Sequence, residues 1–324
     1  MVYLLPSDGM RISVSIVMLA ASAASASLLV MMSRRPLSIS SSPLVGLYEF
    51  KATKAQKAGF SLDAMFLDWN DPDAVPKLQS FLSSAASQQR LPLITLEPFP
   101  DRAAGRTNAD LLPDVLSGRH DQRLVAIAKV VADNPGVVLL RFAHEMDKAG
   151  QYPWAFTDPS HYLRLYHYVH NKVSTLKPGN IRWVWSPIGS SSADRFWPGD
   201  HYADLIGISI YTSRLWSDDG ALQSFSNRLQ RKRWLHERYG LPLLIAETGV
   251  SGPSIDQQPW LAEALQSLRR FPEVCGLVYF HAPQPEWMPL PTGHEDWHLN
   301  PEVLHWFQQQ LPLPSRPGLS CVET

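Results

Sequence analysis

Cysteine is almost missing from this 324-residue chain: Cys275 and Cys321 are the only two. Two such thiols set up no disulfide framework and no metal-ligand spacing, and Cys275, inside the apolar run VCGLVYF, reads as a buried, inert thiol. An excess of charge of either sign is missing too. The formal net charge is -1, which gives no reason to expect nucleic acid or an anionic membrane surface as a partner. No glycine-rich phosphate loop follows the first strand-like run, which counts against a dinucleotide fold. His144-Glu145 opens like the zinc motif H-E-x-x-H, but Lys148 stands where the second histidine belongs, so neither a metal nor a cofactor is expected.

What the chain does have is apolar content and tryptophan. At 45% hydrophobic it can fill a sizeable core, and its 11 Trp residues are an unusually high number. Trp and Tyr faces stack on the C–H faces of sugar rings, although any single Trp can equally fill core. Residues 12–32 carry no charge and are long enough to span a bilayer. They read as a membrane anchor or as a cleaved secretory signal, with Arg11 as a thin basic region and Ala-Ser-Ala-like sites near Ala24 and Ala26. Arg34 and Arg35 would hold that flank inside under the positive-inside rule, unless cleavage comes first. Export is the preferred reading, giving a secreted, periplasmic or outward-facing anchored protein. Residues 1–35 are therefore set apart as signal or anchor, 43–312 as one catalytic domain and 313–324 as a tail, in a monomer.

From Pro43 onward, apolar runs alternate with amphipathic segments. The runs are 43–50, 64–69, 92–98, 137–145, 181–187, 205–211, 242–249 and 274–281. Near-continuous apolar runs of this length suit parallel strands buried on both faces. Helices are expected at 53–58, 73–87, 121–133, 159–175, 221–239, 257–270 and 300–310, with little helix between the fifth and sixth runs. This pattern predicts a single (β/α)8 barrel rather than an open doubly wound sheet. The basic cluster Arg231-Lys232-Arg233 falls in a helix and reads as a solvated face.

Catalytic groups in such a barrel come from the C-terminal strand ends. Read in order, those ends offer Tyr48 and Glu49, Asp68 and Trp69, Glu97, then Arg141, His144 and Glu145, followed by Trp185, Tyr211, Glu247 and His281. Glycoside cleavage needs two carboxyl groups across the scissile bond, one protonated and one ionised. Glu145 and Glu247, on the fourth and seventh runs, are nearly opposite in an eight-stranded ring. Arg141 and Tyr211 are placed to hydrogen-bond Glu247, while an apolar surround at Glu145 favours its protonated form. Glu97 reads more readily as a structural ion pair, and His144 as either a sugar contact or a satisfied core histidine. Trp154 and Trp287, in loops after the fourth and eighth runs, are expected as sugar platforms.

These residues resemble glycoside hydrolase family 26, a family of retaining barrel enzymes. The matching segments are RFAHEMDKAGQYPW, VWSP (184–187), WPGDHYADLIGISIYT (197–212) and LLIAETG (243–249). The resemblance implies Glu145 as acid/base, Glu247 as nucleophile, His144 as a contact near the cleaved sugar, Tyr211 as a hydrogen-bond partner of the nucleophile and Trp287 as the platform after strand eight. The chain departs from the family pattern at Asp147 and Gln151, where Asn and a subsite-shaping Trp are usual, and is most similar to relatives linked with bacterial exopolysaccharide production. The expected function is a retaining endo-β-glycosidase on a β-linked polysaccharide, mannan or glucan. The alternatives are a non-catalytic polysaccharide-binding barrel, or a β-1,3-xylanase or exopolysaccharide-processing glycosidase on the same fold.

Overall fold

The computed structural model describes residues 43–49, 58–286 and 295–311. All eight apolar runs are strands: β1 (Leu44–Tyr48), β2 (Leu62–Asp68), β3 (Leu91–Glu97), β4 (Val138–Phe142), β5 (Ile181–Trp185), β6 (Leu205–Thr212), β7 (Leu243–Val250) and β8 (Val274–Phe280). Each pairs in parallel with the next in chain order, and β8 returns to β1, from Leu44↔Gly276 to Tyr48↔Phe280. The expected barrel is therefore closed.

Side chains alternate across each strand, which makes two cores. Leu44, Leu62, Leu93, Leu139, Val184 and Leu244 fill the interior of the barrel together with Cys275. The opposite rows, including Leu47, Ile94, Leu140 and Ile245, pack beneath the helices. Near the C-terminal strand ends the inward row turns polar. Arg141 follows Leu139, Thr95 and Glu97 follow Leu93, and Ser209 follows Leu205 and Gly207.

The helices are α1 (Ala74–Ser87), α2 (Leu111–Leu116), α3 (Asp121–Ala132), α4 (Pro159–Ser174), α5 (Phe225–Gln230), α6 (Trp234–Tyr239), α7 (Ser254–Arg270) and α8 (Pro301–Gln310). Helix α4 shows why such segments form: Asp158 Oδ1 accepts the Ser160 amide, Pro159 takes the first turn, and Tyr162, Leu165, Tyr166, Val169 and Val173 make the buried stripe. Helix α2 was not expected. Pro113 lies in its first turn, where a proline removes no intrahelical hydrogen bond. The single helix expected over 221–239 is two short ones. Between them Arg233 ion-pairs with Glu273 and Lys232 turns inward to donate to the Ile188 carbonyl. The solvated-face reading of that cluster is thus corrected for two of its three cations.

No helix among the described residues is long and apolar enough to cross a membrane. The segment 12–32, most of the helix expected at 53–58, Trp287 and the tail 313–324 lie outside the described residues.

Candidate active site

At the end of β4 the chain leaves the strand through two non-glycine residues in the left-handed region, Ala143 (φ 49°) and Glu145 (φ 54°). Such conformations cost of order 1–3 kcal/mol and persist where surrounding contacts hold them. Here the Glu145 amide donates to Ser186 O at 2.7 Å. The turn delivers the Glu145 side chain to a cavity of about 430 Å³ at the barrel mouth, which Glu247 and Glu97 also line. Ser209 Oγ donates to Glu145 Oε1 at 2.5 Å and Gln151 Nε2 donates to Oε2 at 2.8 Å. Burial, then the charge of Glu247, push the Glu145 carboxyl above the ordinary carboxylate range.

Glu247, on β7, stands in register opposite Ser209 of β6. Its environment differs in kind. Arg141 Nη1 reaches Oε1 at 2.5 Å, and Tyr211 Oη donates to Oε2 at 2.8 Å. Arg141 is wholly buried and is held by Ser186 Oγ at 2.8 Å and Thr95 Oγ1 at 3.4 Å. The ring of Tyr211 lies on Gly249, where a Cβ would come within 2.8 Å of it. The glycine of the AETG motif is therefore part of how the phenol reaches Glu247.

A third carboxyl, Glu97, forms no ion pair among the described residues, so the ion-pair reading is corrected. It lines the same cavity, and burial, followed by the charge of Glu247, raises it to about 8. Tyr48, also in the lining, is pushed up to about 12, chiefly by burial.

Other expected residues lie elsewhere. His144 has no exposed surface; its Nε2 lies 3.0 Å from Tyr152 Oη and 3.9 Å from Glu247 Oε1, and burial keeps the ring neutral. It sits behind Tyr152, so the expected direct sugar contact is corrected to a positioning contact. Trp154 is likewise fully buried, donating to His144 O at 2.6 Å and stacking on Tyr152 at 4.6 Å. It underpins a cavity residue and presents no platform. Trp185 points away from the barrel interior onto Trp197 and Tyr239, because its neighbour Val184 holds the inward position. Asp68, Trp69 and His281 are also outside the lining; His281 Nδ1 accepts the Leu299 amide, and burial lowers it to about 4.

The lining includes residues that the sequence reading missed: Phe66, Phe280, Trp216, Trp297, Ser209, Lys148, Arg228 and Lys232. Strand parity was available for three of them. Phe66 continues the inward row of Leu62 and Ala64, Phe280 that of Val278, and Ser209 that of Leu205. Trp297 approaches Tyr211 at 4.8 Å from a segment with no strand or helix signal of its own. Among the described residues, no group of three or more His, Cys, Asp or Glu is placed to hold a metal ion.

Residues 115–231 match the model of glycosyl hydrolase family 26. The match takes in Glu145 and ends before Glu247. No curated protein matches the sequence. Solved structures agree in fold at low identity. A family 26 β-mannanase from Bacteroides ovatus shares 15% identity over 83% of this chain and 85% of its own, with a TM-score of 0.58. A family 26 structure from a Muricauda species shares 17% over 75% and 79%, with a TM-score of 0.57. The family 26 domain of a Prevotella bryantii endo-β-mannanase/endo-β-glucanase shares 15% over 84% and 89%, with a TM-score of 0.54. The resemblance to family 26 thus has a counterpart in sequence and another in fold.

Against the family 26 pattern, the two departures acquire physical roles. Asp147 braces the loop after β5: Oδ1 accepts the Ile188 amide at 2.7 Å, and Oδ2 accepts the Ser190 amide at 3.0 Å and its hydroxyl at 2.8 Å. Gln151 lines the cavity and places its amide directly on Glu145.

Proposed function

We propose that this protein is a retaining endo-β-glycosidase acting on a β-linked polysaccharide. The observation that carries the reading is the contrast between two carboxyl groups in one cavity. Glu145 is buried among neutral donors, whereas Glu247 is clamped by a guanidinium and a phenol. That contrast suits an acid and a nucleophile. Glu247 attacks the anomeric carbon while Glu145 gives its proton to the departing glycosidic oxygen. Glu145, now a carboxylate, takes a proton from water, the resulting hydroxide equivalent displaces Glu247 from the anomeric carbon, and both side chains return to their starting states. Tyr48, Phe66, Tyr152, Trp216, Phe280 and Trp297 supply the apolar surface for the sugars. β-Mannan and β-glucan are the backbones proposed first, with β-1,3-xylan next. The uncharged stretch 12–32 supports export, which would bring the enzyme to polymeric glycans.

Reducing-end release on mannan, glucomannan, mixed-linkage glucan, cellulose and β-1,3-xylan tests the activity, and early-time NMR of the product anomer tests retention. Turnover should vanish in Glu247→Ala. Binding without release across the whole panel would instead favour a non-catalytic polysaccharide-binding barrel.

A further inference from the structure

Three cations line the cavity beside Glu145: Lys148, Arg228 and Lys232. None of them has a carboxylate within ion-pair distance among the described residues. Lys148 is exposed and lies three residues after Glu145. Lys232 reaches the same place from the α5–α6 turn. It donates to Ile188 O, and the Ile188 amide is itself held by Asp147, two residues after Glu145. Arg228, one helical turn earlier on α5, sets its guanidinium 5.8 Å over the Trp216 ring, and its Nε is buried without a hydrogen-bond partner.

Uncompensated cations in a half-enclosed cleft are expensive unless something of opposite charge meets them. The carboxyls around the cavity supply only part of that charge, since Glu145 and Asp147 act on Lys232 from beyond ion-pair distance. Glu247 is committed to Arg141, and burial raises both Glu145 and Glu97, the latter to about 8. The whole chain is near neutral at -1, so this positive field is local. Burial lowers Lys232 to about 8, and the nearby charges of Glu145 and Asp147 offset part of that effect. The hydroxyls of an unbranched neutral mannan or glucan accept hydrogen bonds from such groups but bring no charge to balance them.

We propose that the cleft takes an acidic polysaccharide, with a carboxylated sugar seated against Arg228, Lys148 and Lys232 on the leaving-group side of Glu145. The side is fixed by the role of Glu145 and so rests on the function proposed above. The guanidinium of Arg228 offers the planar donor pair that a carboxylate fits, beside the indole surfaces of Trp216 and Trp297. A uronate meets the three requirements together: a ring for the aromatics, a β-linkage for the two glutamates and an anion for the cations.

The test compares a neutral β-linked glycan with the same backbone oxidised at C6 to the uronate and with a C6-sulfated form. Binding is measured in Glu145→Gln, which keeps the Arg141–Glu247 pair intact and does not release product from polysaccharide, so that the readout does not depend on turnover. The oxidised chain should bind about ten-fold tighter or more than the neutral one. That preference should shrink in roughly 1 M salt, where screening acts over ~3 Å. It should also shrink in Arg228→Gln and in Lys148→Gln, the latter at an exposed site where folding is not at stake. Equal binding of neutral and oxidised chains overturns the proposal, as does a preference that survives both substitutions. Preference for the sulfated chain alone overturns the carboxylate. If the parent hydrolyses neutral glycan without any acid preference, this inference fails and the glycosidase reading stands. If no glycan is cleaved yet the oxidised chain is preferred, the glycosidase reading fails and the anion site stands.

Discussion

At the scale of single residues, the site depends on what each carboxyl touches. Glu145 must hold a proton to act on the leaving oxygen, and burial raises its pKa, so activity should fall as pH rises through that elevated value. Ser209 acts in the opposite direction. Its hydroxyl bonds Glu145 at 2.5 Å and favours the ionised form. Ser209→Ala should therefore move the basic limb of the kcat/KM profile to higher pH; a shift to lower pH would remove Ser209 from this role. Glu145→Gln should abolish release from polysaccharide, yet spare much of the first step on aryl glycosides whose leaving group needs no proton. Arg141 is a different case, because it is buried and its charge is met by Glu247 at 2.5 Å. Removing one partner of a buried pair typically costs about 3–5 kcal/mol. Arg141→Met should thus lower both the denaturant midpoint and kcat, whereas Tyr211→Phe should lower kcat with a far smaller change in stability.

At the scale of elements, the strands were legible and their faces were not. Eight apolar runs were enough for the barrel because both faces of a parallel strand are buried. That same property hides which side chains point inward, since no polar alternation marks the rows. Its place at a strand end makes Trp185 read as a site residue, and the inward Val184 beside it is the correcting signal. The cations on the α5–α6 turn were hidden for another reason: a run of Arg-Lys-Arg looks solvated until the helix breaks and aims one of them inward. Gly249 shows how closely β6 and β7 must fit. A methyl there would meet Tyr211 Cε1 at 2.8 Å and Cδ1 at 2.9 Å, which is closer than packed atoms tolerate. Gly249→Ala should displace the phenol from Glu247. We expect a loss of kcat at least as large as in Tyr211→Phe, together with an overpacking cost of about 1–3 kcal/mol seen in chemical unfolding. Near-wild-type kcat in Gly249→Ala would show that the ring has room to move.

At the scale of the whole molecule, the site and the fold draw on the same stability, and pH separates them. Glu97 carries a pKa of about 8 in the folded chain, against roughly 4.3 when unfolded. A carboxyl raised in this way binds its proton more tightly in the folded state. Its contribution to stability is complete below the unfolded value and is lost as pH climbs through about 8. The direction is opposite to that of His281, which is lowered to about 4 and therefore withdraws stability as pH falls. Glu97→Gln keeps a neutral side chain of the same shape at every pH. The variant should match the parent near pH 4, gain on it steadily through neutrality, and exceed it by a few kcal/mol above about pH 8, with ~1.4 kcal/mol per pKa unit as the upper bound. Urea midpoints across that range measure the difference directly. A constant offset between the two proteins would mean that Glu97 is ionised in the folded barrel. The cavity would then hold a second negative charge, facing Glu247, and Arg141 would be shared between the two carboxylates.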